Sequence, residues 1–257
     1  MSVELLDKMR RINRLLHYDS GNVVSFGDIC RLMSAELNAS VVVLSSKGKI
    51  LGLSQAEPGP GGDLWPGLKL GSFINPSLNE RLLNILSTQD NASLEALGFP
   101  REAALRYRAI ISPVEISRVR LGSIFIYREG ESFDVDEIIL TEHGTMIIGL
   151  EMRRSLNEES AAELRKKQVV QSAIGTLSAS ELDAVRYILE ELDGKEGILV
   201  ASKVADRVGI TRSVIVNALR KLESAEVIES RSSGMKGTYI RILNDLILDE
   251  IEKAAEG

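Results

Sequence analysis

The chain has only one cysteine and two histidines among its potential soft metal ligands. A lone thiol makes no intrachain disulfide and no cysteine cluster, and neither His17 nor His143 has a cysteine or carboxylate partner at metal-ligand spacing. Apolar runs are short: none reaches the roughly 18–20 residues that span a bilayer. The start, MSVELLDKMRRINRLLHYDSG, carries acids and lacks the apolar core of a secretory leader. A cytoplasmic location is expected. There is no G-x-S-x-G, no defensible Ser-His-Asp set and no glycine-rich strand–helix junction. Gly59, Gly61 and Gly62 are interleaved with prolines and make no phosphate loop. The chain is not expected to be an enzyme. Proline is scarce too, and four of the six prolines fall in one stretch, residues 55–76, which also holds the single tryptophan, Trp65.

The 257 residues, 44% apolar and 26% charged, suit one large or two modest domains, with enough chain for a sizeable core in each. Leu5, Leu6, Met9, Ile12, Leu15 and Leu16 form a helical stripe. Phe26, Ile29, Cys30, Met33 and Leu37 form a second, with Ser25 placed to cap it. Cys30 lies on the apolar side and reads as a core thiol. Val41–Leu44 and Ile50–Gly52 flank the turn Ser46–Lys49 as strands. Residues 55–76 then break the pattern as a long loop whose apolar content suits a lid or a binding loop. A helix is predicted at about Ser77–Ser87 and another at Ala92–Ala96, followed by the turn Gly98-Phe99-Pro100. Arg106–Ile116 and Val119–Arg128 read as a strand pair. From Asp134 to about Thr176 there is no proline and an almost unbroken helical composition, some 60 Å of helix if continuous. This order fits a GAF or PAS-like sensor whose last helix runs on as a lever.

The C-terminal part carries the clearest motif. Val200–Leu222 reads as two short helices joined at Gly209. Val204 and Val208 face inward on the first, and Ile215, Ala218, Leu219 and Leu222 on the second. Thr211 is placed to cap the second helix. Its free face carries Arg212, Ser213, Val216, Asn217, Arg220 and Lys221, the donors, acceptors and methyl groups that read base edges in a major groove. Two β-rich runs follow around Ser232-Ser233-Gly234-Met235-Lys236-Gly237, giving a wing whose Ser232, Met235 and Lys236, with Lys221, are expected near phosphate. Between Lys195 and Arg241 stand nine basic and five acidic side chains, a net +4, on a chain that is −6 overall. Such an island points to a local polyanion footprint.

The run ASKVADRVGITRSVIVNALRKLESAEVIESRSSGMKGTYIRILN closely resembles the C-terminal domain of the CodY family of global transcriptional regulators, and the likeness continues more loosely to the N-terminus. The resemblance implies an α+β chain: a GAF-type ligand-sensing domain over residues 1–150, a linker helix over 151–176 and a winged helix–turn–helix DNA-binding domain over 177–257. It implies a homodimeric or tetrameric regulator, mainly a repressor, on a double-stranded DNA operator, with a branched-chain amino acid (isoleucine, leucine or valine) as effector and GTP as a second. For the amino acid, Phe99 and Pro100 match the family's pocket wall and Ala96 lies near its ammonium-binding segment, while the loop itself offers Leu64, Trp65, Leu68 and Phe73 as apolar walls and Lys69 as the nearest cation. The family's carboxylate-clamping arginine is missing, its place being taken by Asp63 or Leu64. For GTP the matching positions are Ser45, Ser46, Lys47, Lys49 and Glu151. Two other readings stay open on sequence alone. In one, the same DNA-binding regulator has a sensor domain that dimerises or takes a different ligand. In the other, a metabolite-dependent enzyme uses its C-terminal domain for protein contacts.

Overall fold

The computed structural model describes residues 3–17, 25–56, 64–192, 194–232 and 237–256. Contacts divide the chain into two compact units, one ending at Leu156 and the other starting at Asn157.

In the first unit, helices α1 (Val3–His17) and α2 (Phe26–Leu37) precede a four-stranded antiparallel sheet in the order β2-β1-β4-β3. Its strands are β1 (Ser40–Ser45), β2 (Ile50–Ser54), β3 (Tyr107–Ile116) and β4 (Val119–Glu129). Strand periodicity gives the sheet two apolar faces. Val41, Val43, Ile110, Ile124 and Ile126 pack with Ile12, Ile29, Met33 and Leu37 of the helices and with Leu140, Ile147, Ile148 and Met152 of the long helix α5 (Val135–Gly175). Val42, Leu44, Ala109, Ile111, Phe125 and Tyr127 face a second core, closed by Leu64, Ile74, Leu94, Leu97 and Leu82 of α3 (Pro76–Leu83).

Ser25 caps α2 as expected, its hydroxyl accepting from Asp28 N–H. Cys30 is fully buried, close to where a Cβ on Gly52 would sit, and burial pushes its thiol up to about 12. That suits the core role read from its stripe. The start of α5 is clasped twice. Asp134 and Glu137 cap each other's backbone N–H groups, and Arg128 of β4 forks onto Glu137 at 2.6 and 2.8 Å while lying over the Phe133 ring. His143 on α5 meets Asn13 of α1 through Nε2 at 2.8 Å.

Two local expectations differ from the structure. Helix α3 stops at Leu83, and residues 92–96 form turns rather than a helix. The reason is non-local: Gln89 bridges Ile111 and Ala92 N–H donates to Ala109 O, so this segment's backbone groups are spent on the free edge of β3. A short helix, α4 (Arg101–Arg106), also precedes β3, which begins at Tyr107.

In the second unit, the end of α5 contributes Val170 and Ala173 to a core shared with α6 (Ala179–Glu191), α7 (Ala201–Val208), α8 (Arg212–Ser224) and α9 (Leu246–Glu256). A three-stranded sheet in the order β5-β7-β6 joins them, from β5 (Glu196–Leu199), β6 (Ile228–Ser232) and β7 (Thr238–Ile242). No helix among the described residues is long and apolar enough to cross a membrane.

Candidate nucleic-acid interface and effector pocket

Helices α7 and α8 form the helix–turn–helix. Gly209 takes a left-handed backbone, φ +71, closing α7 and letting Ile210 drop back toward the core. Helix α8 docks through Ile215, Ala218, Leu219 and Leu222, exposed by 6% or less. Arg212, Ser213, Val216, Asn217 and Arg220 are all exposed, so the amphipathic split read from the sequence is the split in the fold. Thr211 sits at the N-cap with extended backbone. Its hydroxyl meets Ser213 Oγ at 2.8 Å instead of accepting from the first turn. Capping was the wrong role for that side chain; both hydroxyls remain at the exposed end of α8.

Lys221 differs from the expectation of a phosphate contact. Its ammonium points inward, donating to Glu181 at 2.7 Å and to Thr176 O at 2.9 Å. Position 221 borders the buried Leu222, and the 6%-exposed Glu181 offers a better-placed anion than solvent does. Glu181 also closes a capping box with Ser178 at the start of α6. Arg207 of α7 reaches Tyr187 and Glu191 of the same helix. So α6 holds both helices of the motif. The wing is β6 and β7 in antiparallel register, Ser232 opposite Thr238, with Ser232 exposed at its end. Met235 and Lys236 lie outside the described residues.

The basic island is smaller than its count. Lys195 pairs with Asp245, Arg207 with Glu191, Lys221 with Glu181, Arg231 with Glu229 and Arg241 with Glu196. Among the described residues, Lys203, Arg212 and Arg220 are the exposed cations of this segment with no acidic partner. Lys203 is the one that motif reading passed over. Its place just before Val204, off the apolar stripe of α7, is the signal that could have found it.

The Lys221–Glu181 contact gives a pH test. The Lys221 hydrogen bond first, and the Ser178 backbone N–H second, hold the Glu181 carboxyl below its ordinary 4.5. A carboxyl depressed by folding adds stability that is whole above its unfolded value and drains away as pH falls through the folded one. Urea midpoints taken from about pH 6 to 3 should therefore fall more steeply for the native chain than for Glu181→Gln. Parallel slopes would show that the contact contributes nothing.

In the first unit, the positions expected for an amino-acid effector divide. Leu64 is buried, and Trp65, Leu68 and Phe99 pack against the second core. Trp65 meets Phe99 at 5.5 Å and Phe125 at 5.4 Å between ring centroids, both edge-on, making an aromatic wall with β4. Phe73 leaves this group: it is 65% exposed while Ile74 is 8% exposed. Residue 73 bridges Lys49, and strand alternation then turns its neighbour inward and Phe73 out. Lys69, Ala96 and Pro100 are exposed.

The positions expected for GTP do not form one exposed patch. Ser45–Lys49 is a tight turn at the end of β1, with Lys47 and Lys49 exposed and Ser46 O accepting from Asn79. Glu151 is buried, at 4% exposure.

A model of the CodY GAF-like domain matches residues 4–176, and one of the CodY helix-turn-helix domain matches residues 195–254. The chain is 47% identical to the global transcriptional regulator CodY of Clostridium kluyveri over 263 residues, covering 97% of this chain and 98% of the relative. It is equally similar to that of Thermoanaerobacter sp. (strain X514), 47% over 252 residues with the same coverage. Among solved structures, it is similar to the cofactor-binding GAF domain of the nutrient sensor CodY from Clostridium difficile. That match has 26% identity and a TM-score of 0.44, over 59% of this chain and 99% of that one.

Proposed function

This chain belongs to the CodY family of global transcriptional regulators, and from that premise we propose which of its surfaces does which task. It is a DNA-binding regulator with a GAF sensor domain, not an enzyme. The reading surface is the exposed face of α8: Thr211, Arg212, Ser213, Val216, Asn217 and Arg220 enter the major groove. Lys203 lies against the phosphates, and the wing, with Ser232, Met235 and Lys236, follows the backbone. The observation that carries this is the division of α8 into a docked apolar side and an exposed side whose two arginines have no acidic partner among the described residues.

The regulator works in the cytoplasm as a homodimer, on half-sites about one helical turn apart. It is mainly a repressor. A branched-chain amino acid held beside the wall of Trp65, Phe99 and Phe125 raises its affinity for the operator, so that transcription follows nutrient supply. The Ser45–Lys49 turn, with Lys47 and Lys49 outermost, is where GTP would act as a second effector.

The test is an operator titration by fluorescence anisotropy at several salt concentrations, with and without isoleucine. Binding should weaken linearly with the logarithm of salt, and isoleucine should tighten it. A salt-insensitive signal, equal for operator and random duplex, would remove the reading surface from α8. A salt-dependent titration unmoved by isoleucine would favour a sensor domain that serves dimerisation or another ligand. The missing loop arginine is the observation behind that second reading.

A further inference from the structure

We infer that Arg81, on α3, is the residue that takes the effector's carboxylate in this chain. The inference rests on the reading that the first unit binds a small apolar amino acid. Such a ligand brings a carboxylate to the edge of an apolar cup, and a carboxylate withdrawn from water without a cation is costly.

Four other arginines of the first unit are committed. Arg106 is paired with Glu129 and Arg128 with Glu137. Arg120 donates to the carbonyls of Gly122, Ile85 and Leu82 and to Ser123 Oγ. Arg108 donates to the carbonyls of Leu105 and Tyr107. Arg81 differs from these four. Its Nε donates to Ser77 O of its own helix at 3.1 Å, and no described group accepts from its two terminal nitrogens.

Its guanidinium lies against Gly98. A Cβ added at Gly98 would stand 2.5 Å from Nη1, 3.3 Å from Cζ and 3.5 Å from Nη2. Gly98 has φ +91, a conformation open to glycine, so the turn keeps clear the space the guanidinium occupies. The next residue is Phe99, whose ring meets Trp65 and Phe125. The preceding Leu97 and the α3 neighbour Leu82 are both buried in the same core. A planar fork with two uncommitted nitrogens therefore stands beside the glycine that precedes Phe99 of the aromatic wall. That is the chemistry that grips a carboxylate on a small apolar body. It also answers the gap in the 55–76 loop: the cation comes from the following helix rather than from the loop.

The experiment is calorimetric titration of the full chain with isoleucine and with isoleucinamide, which keeps the side chain and ammonium but has no carboxylate. The native chain should prefer isoleucine by about tenfold or more, the worth of a charged hydrogen-bonded pair. Arg81→Ala should bind isoleucine at least about tenfold more weakly and lose the preference over the amide. Arg81→Lys should fall between, keeping the charge without the fork. Thermal midpoints of the variants check that an exposed substitution has left the fold intact. Equal affinity and equal preference in Arg81→Ala and the native chain would overturn the assignment of Arg81 and leave the effector reading standing. A native chain that gives no heat with isoleucine would overturn both.

Discussion

Arg212→Ala should lower affinity for a specific operator by about tenfold to a hundredfold, roughly 1–3 kcal/mol, with little change in affinity for random duplex. Arg212 opens α8, is exposed, and has no acidic partner among the described residues, so its guanidinium is available without breaking anything in the domain. Its loss should leave the melting temperature near that of the native chain, because the docked side of α8, Ile215 to Leu222, is untouched. Lys203→Ala provides the contrast. A phosphate contact from α7 should weaken every duplex alike and reduce the salt slope by about one. If Arg212→Ala footprints like the native chain, base reading is not done by the start of this helix.

Gly122→Ala should be the most damaging single methyl in the sensor unit. Gly122 lies on the central strand β4, opposite Ser45 of β1 and Val114 of β3. A Cβ there would overlap the Leu44 carbonyl oxygen and crowd the Ser45 Cα, both backbone atoms of the adjacent strand. No rotamer change relieves such a clash, so β1 and β4 must separate. The expected cost is about 3 kcal/mol or more, the upper part of the range for overpacking. Chemical denaturation of the full chain should show the loss in the transition of the sensor unit. A Gly122→Ala chain as stable as the native one would mean that the two strands do not approach as closely as described.

Local periodicity was enough for much of the architecture. The stripes at Leu5–Ile12 and Phe26–Leu37, the hairpin around Ser45–Lys49 and the pair of helices around Gly209 all announce themselves over a few turns or alternations, and each forms where it was expected. What local pattern could not supply is pairing at a distance. Residues 92–96 look helical from composition, but Ala92, like Gln89 just before it, joins its backbone to the edge of a strand some twenty residues on. Lys221 looks like one more cation on a basic helix, but an acid forty residues earlier claims it. Phe73 looks like a pocket wall, but a bridge to Lys49 decides which way it points. Arg81 shows nothing unusual in sequence, because its distinction is the glycine it rests on, seventeen positions away.

The sensor sheet has a consequence for how a signal could travel. Phe125 belongs to the aromatic side, while its neighbours Ile124 and Ile126 belong to the core on the other side, which α5 shares. Only the thickness of one peptide chain separates the two populations. A molecule that nudged the Phe125 ring would tilt the same amide planes that carry Ile124 and Ile126, and the core that α5 shares with them would register the push. The partition between the cup and the helix is thus also the shortest wire between them.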